Sequence, residues 1–359
     1  MSAASRVLVT GATGFAGSHL ARALVTQGHR VRVLVRRPDA VPAVLRGRVE
    51  VAQGDIRDRA AVEQAVAGCQ LVYHLAALYR DASAQRQAYW DVNVGGTAHV
   101  LSACRTHGVE RLVYCSTIGV HGSVTRIPSD ETAPFHPGDA YQRSKWAAER
   151  RMAEESPKRQ PEIVIIRPAG IYGPGDLRFL KLFRSIQRGH FVMLGSGTTW
   201  FHPVYIDDLV HGFLLAGARP EAVGDMFCIT SSEYLTLNEF VGRIAHVLGV
   251  PAPRWHLPVW PFVAAGAVCE AVCVPLGIRP PLYRRRVDFF THHRAFTSAK
   301  ATRLLGYQAR VDLTEGLRRT AEWYAREGYL APWPALTRPA RQPPTRHWAE
   351  QPAVEEAHR

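Results

Sequence analysis

Short apolar runs alternate with segments of helical period through the first half of this chain. Arg6 to Thr10 (Arg-Val-Leu-Val-Thr) reads as a buried strand, and a helical pattern follows from Ser18 to Gln27. Val31 to Val35 is a second strand, and Gly54-Asp55-Ile56 closes a third. Leu71 to Ala77 is a strand running into a small-residue turn. A helix beginning at Asn93 passes through Gly96-Thr97 towards Cys104, before strands at Leu112 to Thr117 and Ile163 to Pro168. Strands in strict alternation with helices predict an α/β fold, a doubly wound parallel sheet covered on both faces. After Gly175 the pattern changes. Phe179 to Arg188 reads as an amphipathic helix and Phe191 to Gly195 as a short strand. Val204 to Leu215 carries the acidic pair Asp207-Asp208, and Thr236-Leu-Asn-Glu239 is a capping box opening a helix. Ser298 to Leu304 and Thr314 to Arg326 read as closing helices. The expected division is a nucleotide-binding domain over 1–178, with 203–217 returning to it. A smaller mixed substrate-binding part covers 179–330, and a disordered Pro/Arg/Gln-rich tail covers 331–359.

The first strand leads straight into Gly11-Ala-Thr-Gly14-Phe-Ala-Gly17 and then a helix. Strand, glycine turn and helix in that order form a phosphate-binding unit. Glycines let the backbone approach a pyrophosphate, and the helix start offers free N–H groups. The spacing is G-x-x-G-x-x-G, not the G-x-G-x-x-G of standard dinucleotide folds. At the end of the second strand, where an acid would hold the ribose of NAD, stand Arg36 and Arg37. Guanidinium groups suit a ribose 2′-phosphate, which predicts NADP(H), with NAD as the alternative. Asp55 is placed to meet the adenine amino group.

Tyr141 and Lys145 lie four residues apart in Ala-Tyr-Gln-Arg-Ser-Lys-Trp-Ala-Ala-Glu, so on a helix they share one face. A neighbouring ammonium favours phenolate over phenol, and a Tyr so tuned can exchange a proton with an alcohol or carbonyl.

Composition excludes more than it selects. With 359 residues and 47% hydrophobic content the chain suits one large or two interlocked domains. Its six cysteines show no C-x-x-C pair and no metal-ligand spacing with His, which fits a reduced, cytoplasmic setting. The first strand begins almost at once, which leaves no room for a signal peptide. The net charge of +13 comes mainly from Arg, yet no nucleic-acid motif accompanies it. Trp255 to Ile278 is an apolar stretch with Glu270 as its only acid. Pro258, Pro261 and Pro275 interrupt it, and Arg284-Arg285-Arg286 follows. It is too broken for a spanning helix. It reads as a hydrophobic lid over a substrate pocket or, with the basic cluster, as a membrane-surface contact over 255–286.

These residues together resemble the extended short-chain dehydrogenase/reductase family, also called the NAD-dependent epimerase/dehydratase superfamily. The likeness runs from about Ser5 to about Tyr329. Its anchors stand in the family's order: the glycine turn, Asp55-Ile56, Leu75-Ala76-Ala77, Asn93, Ser116-Thr117, Tyr141-x-x-x-Lys145 and Arg167-Pro-x-x-x-Tyr-Gly-Pro-Gly175. The resemblance implies a Rossmann fold and a set of roles. Tyr141 would be the acid/base, and Lys145 would hold the nicotinamide ribose. Thr117, with Ser116 beside it, would hydrogen-bond the reacting oxygen, and Asn93 would support the helix near Lys145. Cofactor contacts would come from Gly11, Thr13, Gly14, Phe15, Gly17, Arg36, Arg37, Asp55, Ile56, Leu75, Ala76 and Ala77, with Pro168 and Ile171 against the nicotinamide. The acidic pair Asp207-Asp208 would cap a helix and hold the domains together. A homodimer through the helices around Val92 to Cys104 and Tyr141 to Glu154 is also implied.

Departures from the family narrow the chemistry. The 4,6-dehydratases carry an acidic pair after Thr, where this chain reads Thr117-Ile118-Gly119-Val120. Many sugar-nucleotide epimerases carry Arg-Tyr-Phe-Asn, where this chain reads Arg167-Pro168-Ala169-Gly170. They also place an Arg ahead of Val-Tyr-Val-Asp-Asp, where this chain has an aromatic in Trp200-Phe201-His202. The second half looks most like the 3β-hydroxysteroid dehydrogenase-like branch and related ketone reductases. The expectation is therefore an oxidoreductase exchanging a secondary alcohol and a ketone on a hydrophobic small molecule. The alternatives are a sugar-nucleotide epimerase and a cofactor-binding regulator of the same fold.

Overall fold

The apolar runs of the first half become the strands of one sheet. In the computed structural model, which describes residues 5–79, 85–155, 160–273, 276 and 287–332, these are β1 (Arg6–Thr10), β2 (Arg30–Val35), β3 (Glu50–Gln53), β4 (Leu71–His74), β5 (Arg111–Cys115) and β6 (Glu162–Pro168). Along β1 the side chains alternate as strand geometry demands: Val7 and Val9 enter the core on one face and Leu8 the core on the other. Helix α1 (Phe15–Thr26) lies with Val7 and Val9. Helices α2 (Arg59–Val66), α4 (Thr97–Thr106) and α5 (Ala140–Glu155) cover Leu8 through Val62, Val100, Cys104, Ala148 and Met152. Between α3 (Arg86–Trp90) and α4, residues Asp91–Gly96 form a widened π-helical turn that carries Asn93.

A seventh strand comes from beyond the expected domain boundary. Two short strands, β7 (Gly170–Tyr172) and β8 (Met193–Leu194), follow β6, then β9 (Trp200–Phe201) and β10 (Pro203–Tyr205), before β11 (Met226–Ile229) joins the main sheet beside β6. The order is β11-β6-β5-β4-β1-β2-β3, with all its pairings parallel. The cut at residue 178 therefore does not separate the sheet from the second half. Helix α7 (Ile206–Ala218), which follows α6 (Leu180–Gln187), contributes Phe213 to the same core as α1, edge-on to Tyr73 at 6.4 Å.

The rest of the second half is assembled from small ladders and helices. β10 pairs with β7, β9 with β12 (Leu235–Thr236), and β13 (His256–Leu257) with β8. Helix α8 (Leu237–Leu248) opens on the expected capping box and ends on Gly249 at φ 66°, a left-handed C-cap that favours glycine. Helices α9 (Trp260–Cys273), α10 (Asp288–Thr291), α11 (Ala299–Leu305) and α12 (Leu313–Arg326) complete the order. The acidic pair does not cap α7 with a side chain. Asp208 is buried in its first turn and accepts hydrogen bonds from the N–H groups of Arg310 (2.8 Å) and Val311 (3.2 Å), tying the C-terminal segment to the sheet. The Arg284-Arg285-Arg286 cluster, Pro275 and the tail beyond 332 lie outside the described residues.

Candidate active site

Parallel strands all point their carboxyl ends to one rim, and the expected site residues follow those ends. Gly11 follows β1, Arg36 and Arg37 follow β2, Asp55 follows β3, and Leu75 to Ala77 follow β4. Ser116 and Thr117 follow β5, and Pro168 ends β6. β1 leads through α1 to β2 on one side and pairs with β4 on the other, so the order in which strands are added to the sheet reverses there. A doubly wound sheet opens its ligand crevice at that switch point.

The glycine turn is built by close approach. Gly11 has φ 77°, and a Cβ there would lie 2.7 Å from the backbone N of Ala76. A Cβ on Gly17 would lie 2.2 Å from the carbonyl oxygen of Gly11, so the helix can sit this tightly on the turn only without a side chain. Gly14 is the N-cap of α1 in extended conformation, with no side-chain cap and no acid in the first turn. The free N–H groups of the first turn and the positive end of the helix dipole therefore face the rim without competition, as an anionic pyrophosphate requires. Thr13 and Gly14 are exposed there, and Phe15 is half-buried. Arg36 and Arg37 are both exposed at the end of β2. This donor set fits a dinucleotide.

Asp55 is already engaged. Arg57 donates to it through Nε (3.0 Å) and Nη2 (2.9 Å), and this pairing holds the Asp55 carboxyl below its ordinary range. Ile56 is packed in the core against Gly96, so its side chain is a structural member of the rim.

Behind the crevice a chain of hydrogen bonds joins β1, β4 and α4. The Ala76 N–H donates to Thr10 Oγ1 (3.2 Å), and Thr10 Oγ1 lies 2.7 Å from His74 Nδ1. His74 Nε2 lies 2.9 Å from Thr97 Oγ1, whose own proton goes to the Asn93 carbonyl at 2.7 Å. Thr97 must therefore accept from Nε2–H, and Nδ1 accepts from Thr10. Burial, and then the charge of Lys145, push His74 down to about 3, so the ring is neutral. Asn93 clasps the backbone of Leu78 at N–H (2.7 Å) and carbonyl (3.1 Å), and it donates to Ser144 Oγ (2.8 Å) on α5.

Helix α5 turns its ionisable face inward. Tyr141 is 8% exposed and Lys145 2%. The Tyr141 ring meets Tyr79 edge-on at 4.9 Å, and Lys145 Nζ sits 4.2 Å from the centre of the Tyr114 ring. Burial lowers Lys145 from its ordinary value to about 8, with Cys115 and Glu149 opposing the shift. It therefore remains an ammonium at neutral pH. One helical turn further on, Glu149 occupies the same face and accepts from Arg167 of β6 through Nε (3.1 Å) and Nη2 (2.6 Å). Arg167 also approaches His121 Nε2 (3.1 Å) and lies over the Phe135 ring (5.0 Å). Arg167 is wholly buried and pins α5 to the sheet.

Of the two hydroxyls after β5, Thr117 Oγ1 accepts from the Gly119 N–H (3.0 Å). Ser116 Oγ is buried and has no hydrogen-bond partner among the described residues. A buried hydroxyl without a partner leaves capacity for a ligand oxygen. A separate cleft of about 240 Å³ follows, lined by Ser123, Arg126, Asp130, Thr132 and His136 among others, with none of the four expected catalytic side chains.

Sequence reasoning passed over His74, Tyr79 and Arg178. The first is an ordinary strand residue until Thr10 and Thr97 flank it. Arg178 pairs with Asp176 (2.6 Å) and lies over the rings of Phe15 (5.6 Å) and Tyr79 (5.8 Å), bridging the glycine turn and the Tyr141 neighbourhood. Its signal was a basic residue three positions after Gly175, visible only once the fold places Phe15 beside it.

Comparison with known proteins agrees with this geometry. Residues 7–229 match the NAD dependent epimerase/dehydratase family. The chain is 33% identical over 344 residues, 89% of its length and 90% of the relative's, to a 3 beta-hydroxysteroid dehydrogenase/Delta 5-->4-isomerase of Mycobacterium tuberculosis (strain ATCC 25618 / H37Rv). It is 30% identical over 323 residues to the N-acetyl-alpha-D-glucosaminyl-diphospho-ditrans,octacis-undecaprenol 4-epimerase of Escherichia coli O157:H7, covering 88% of this chain and 94% of that one. A solved structure of MoeE5 in complex with UDP-glucuronic acid and NAD superimposes with a TM-score of 0.71 at 27% identity, covering 90% of this chain and 99% of that chain.

Proposed function

The chain belongs to the NAD dependent epimerase/dehydratase family, and from that membership we propose that it is an NADP(H)-preferring oxidoreductase interconverting a secondary alcohol and a ketone on a hydrophobic small molecule. The observation that carries the substrate class is the contact between Phe201 and Gly170. Family epimerases carry an Asn and an Arg in these two runs. Here a Cβ at position 170 would lie 2.6 Å from Phe201 Cζ. The two absent polar grips are thus replaced by one apolar contact. Phe201 continues into a cluster with Phe240 (4.9 Å), Phe289 (5.5 Å) and Phe179 (6.2 Å). As the boundary of a substrate site, such a cluster would offer no partners to a nucleotide diphosphate and would favour an apolar body.

The residues divide the work as follows. The Gly11–Gly17 turn would hold the pyrophosphate, Arg36 and Arg37 the ribose 2′-phosphate, and Lys145 the nicotinamide ribose. When bound, the nicotinamide supplies or accepts a hydride. Tyr141 Oη gives a proton to the substrate oxygen in reduction and takes it back in oxidation. Ser116 and Thr117 orient that oxygen. Lys145, one turn further along the same buried face of α5, would bring its ammonium to the same site.

A second reading, an NAD-dependent sugar-nucleotide epimerase, draws on the likeness to the Escherichia coli epimerase. Cofactor oxidation separates the two. The proposal expects net NADPH consumption with hydrophobic ketones and none with UDP-sugars. Epimerised UDP-sugar without net consumption would overturn it. Replacing Arg36 and Arg37 together by Ser should weaken NADPH binding by about tenfold or more and leave NADH binding unchanged, as titration of cofactor fluorescence would read.

A further inference from the structure

The outer face of α9 is apolar where a surface helix is ordinarily polar. Placed at 100° per residue, its exposed residues Trp260, Val263, Ala264, Ala265, Val268, Ala271 and Val272 fall on one arc, with half-buried Pro261 and Ala267 among them. Trp260 is 73% exposed, Val268 64% and Val272 55%. The opposite arc holds Phe262, Gly266, Cys269, Glu270 and Cys273, all buried or half-buried. The helix's one charged residue is therefore on its inner side. The strand leading into α9 extends the apolar presentation through Trp255, 77% exposed, and Leu257, 45% exposed. It is tied down by hydrogen bonds from the Met193 N–H to the Trp255 carbonyl (2.9 Å) and from the Gly195 N–H to the Leu257 carbonyl (2.8 Å). A lid closing over the crevice would turn its large side chains inward, and these turn outward from a fixed support.

We propose that α9 and the Trp255–Leu257 strand form a docking face for a bilayer surface bearing anionic lipid headgroups. Charge decides between a bilayer and a second copy of the chain. From Arg254 to Arg286 the sequence holds five arginines and one glutamate. Arg254 is exposed beside Trp255, and a two-fold pairing through this face would bring two segments of like net charge together, whereas anionic headgroups neutralise that charge. The two tryptophans suit the headgroup boundary, where an apolar body and an N–H are both satisfied. At 14 residues α9 is about 21 Å long, short of the roughly 30 Å hydrocarbon core, and among the described residues no helix is long and apolar enough to cross a membrane. The helix lies on the bilayer and does not span it. This inference stands apart from the proposed reaction, and its test needs no turnover.

The test is flotation of the full chain with vesicles of phosphatidylcholine and phosphatidylglycerol in equal parts, against phosphatidylcholine alone. The chain should float with the anionic vesicles, and its tryptophan emission should shift to the blue. Neutral vesicles or molar salt should lower the bound fraction by about fivefold or more. The triple variant Trp260→Ser, Val268→Asn, Val272→Asn should lower it by about tenfold while cofactor binding persists. Failure of the wild-type chain to float with anionic vesicles would overturn the proposal. So would equal flotation of the triple variant, or a dimer in light scattering that the triple variant dissolves and vesicles do not displace.

Discussion

Helices α5 and α9 both reverse the pattern of an ordinary surface helix, in opposite senses. On α5 the residues four apart that face the sheet are Tyr141, Lys145 and Glu149, groups a soluble helix normally gives to water. On α9 the residues four apart that face water are Trp260, Ala264, Val268 and Val272. The first reversal is compensated within the fold. Arg167 meets Glu149, the Tyr114 ring meets Lys145, and Tyr79 meets Tyr141. The second has no compensation among the described residues. An inward polar face thus marks a site the chain completes for itself, and an outward apolar face marks one that needs something else to complete it.

The comparison breaks most visibly at Tyr141. Tyr141→Phe removes one hydroxyl, and it should lower turnover by about 10²–10⁴-fold with cofactor affinity unchanged. Stopped-flow oxidation together with equilibrium titration would check both halves, and near wild-type turnover would remove Tyr141 from its role. Glu149→Leu tests the compensation. It leaves the wholly buried Arg167 without its carboxylate and should destabilise the protein by about 3–5 kcal/mol in urea unfolding.

Lys145 gives a pH signature. Its folded-state value is depressed to about 8 from an ordinary 10.5. Between these values the unfolded chain binds the proton and the folded chain does not, so stability rises with pH across that window. Lys145→Met should therefore be more stable than wild type at pH 7, by about 3 kcal/mol at most, with the gap closing by pH 10.5. Paired thermal melts of the cofactor-free proteins would show it, and a gap independent of pH would count against a desolvated ammonium. The smallest expected effect is on α9. Trp260→Ser or Val268→Ser should change unfolding stability by no more than about 0.5 kcal/mol, because neither side chain is buried by the fold. A large loss there would mean that the outer arc of α9 is packed against the rest of the chain.

Much of the candidate site was legible because it is made of local motifs. A glycine that must admit Ala76 at Gly11, or Gly11 at Gly17, shows in the sequence as an obligate glycine between a strand and a helix. The i,i+4 spacing of Tyr141 and Lys145 needs no tertiary knowledge. The seventh strand was not legible, because Met226–Ile229 is only four residues long and its partner β6 lies 58 or more positions earlier in the chain. Asp208, with Asp207, read as a helix cap that also holds the domains together, and the first turn of α7 would allow the cap. The carboxylate instead serves backbone N–H groups about a hundred residues away.

Pattern and motif alone determined the doubly wound parallel sheet, the glycine turn between its first strand and helix, and the shared helix face of Tyr141 and Lys145. Each rests on interactions between residues close in sequence, where period and spacing carry the information. Only the tertiary structure decided that His74 is a neutral bridge between Thr10 and Thr97, and that Arg167 is a buried clamp on α5. It also decided that Phe201 closes over Gly170 and that α9 turns its apolar arc to solvent. These depend on which distant surfaces meet, and burial is a property of the pair in contact and not of either residue alone.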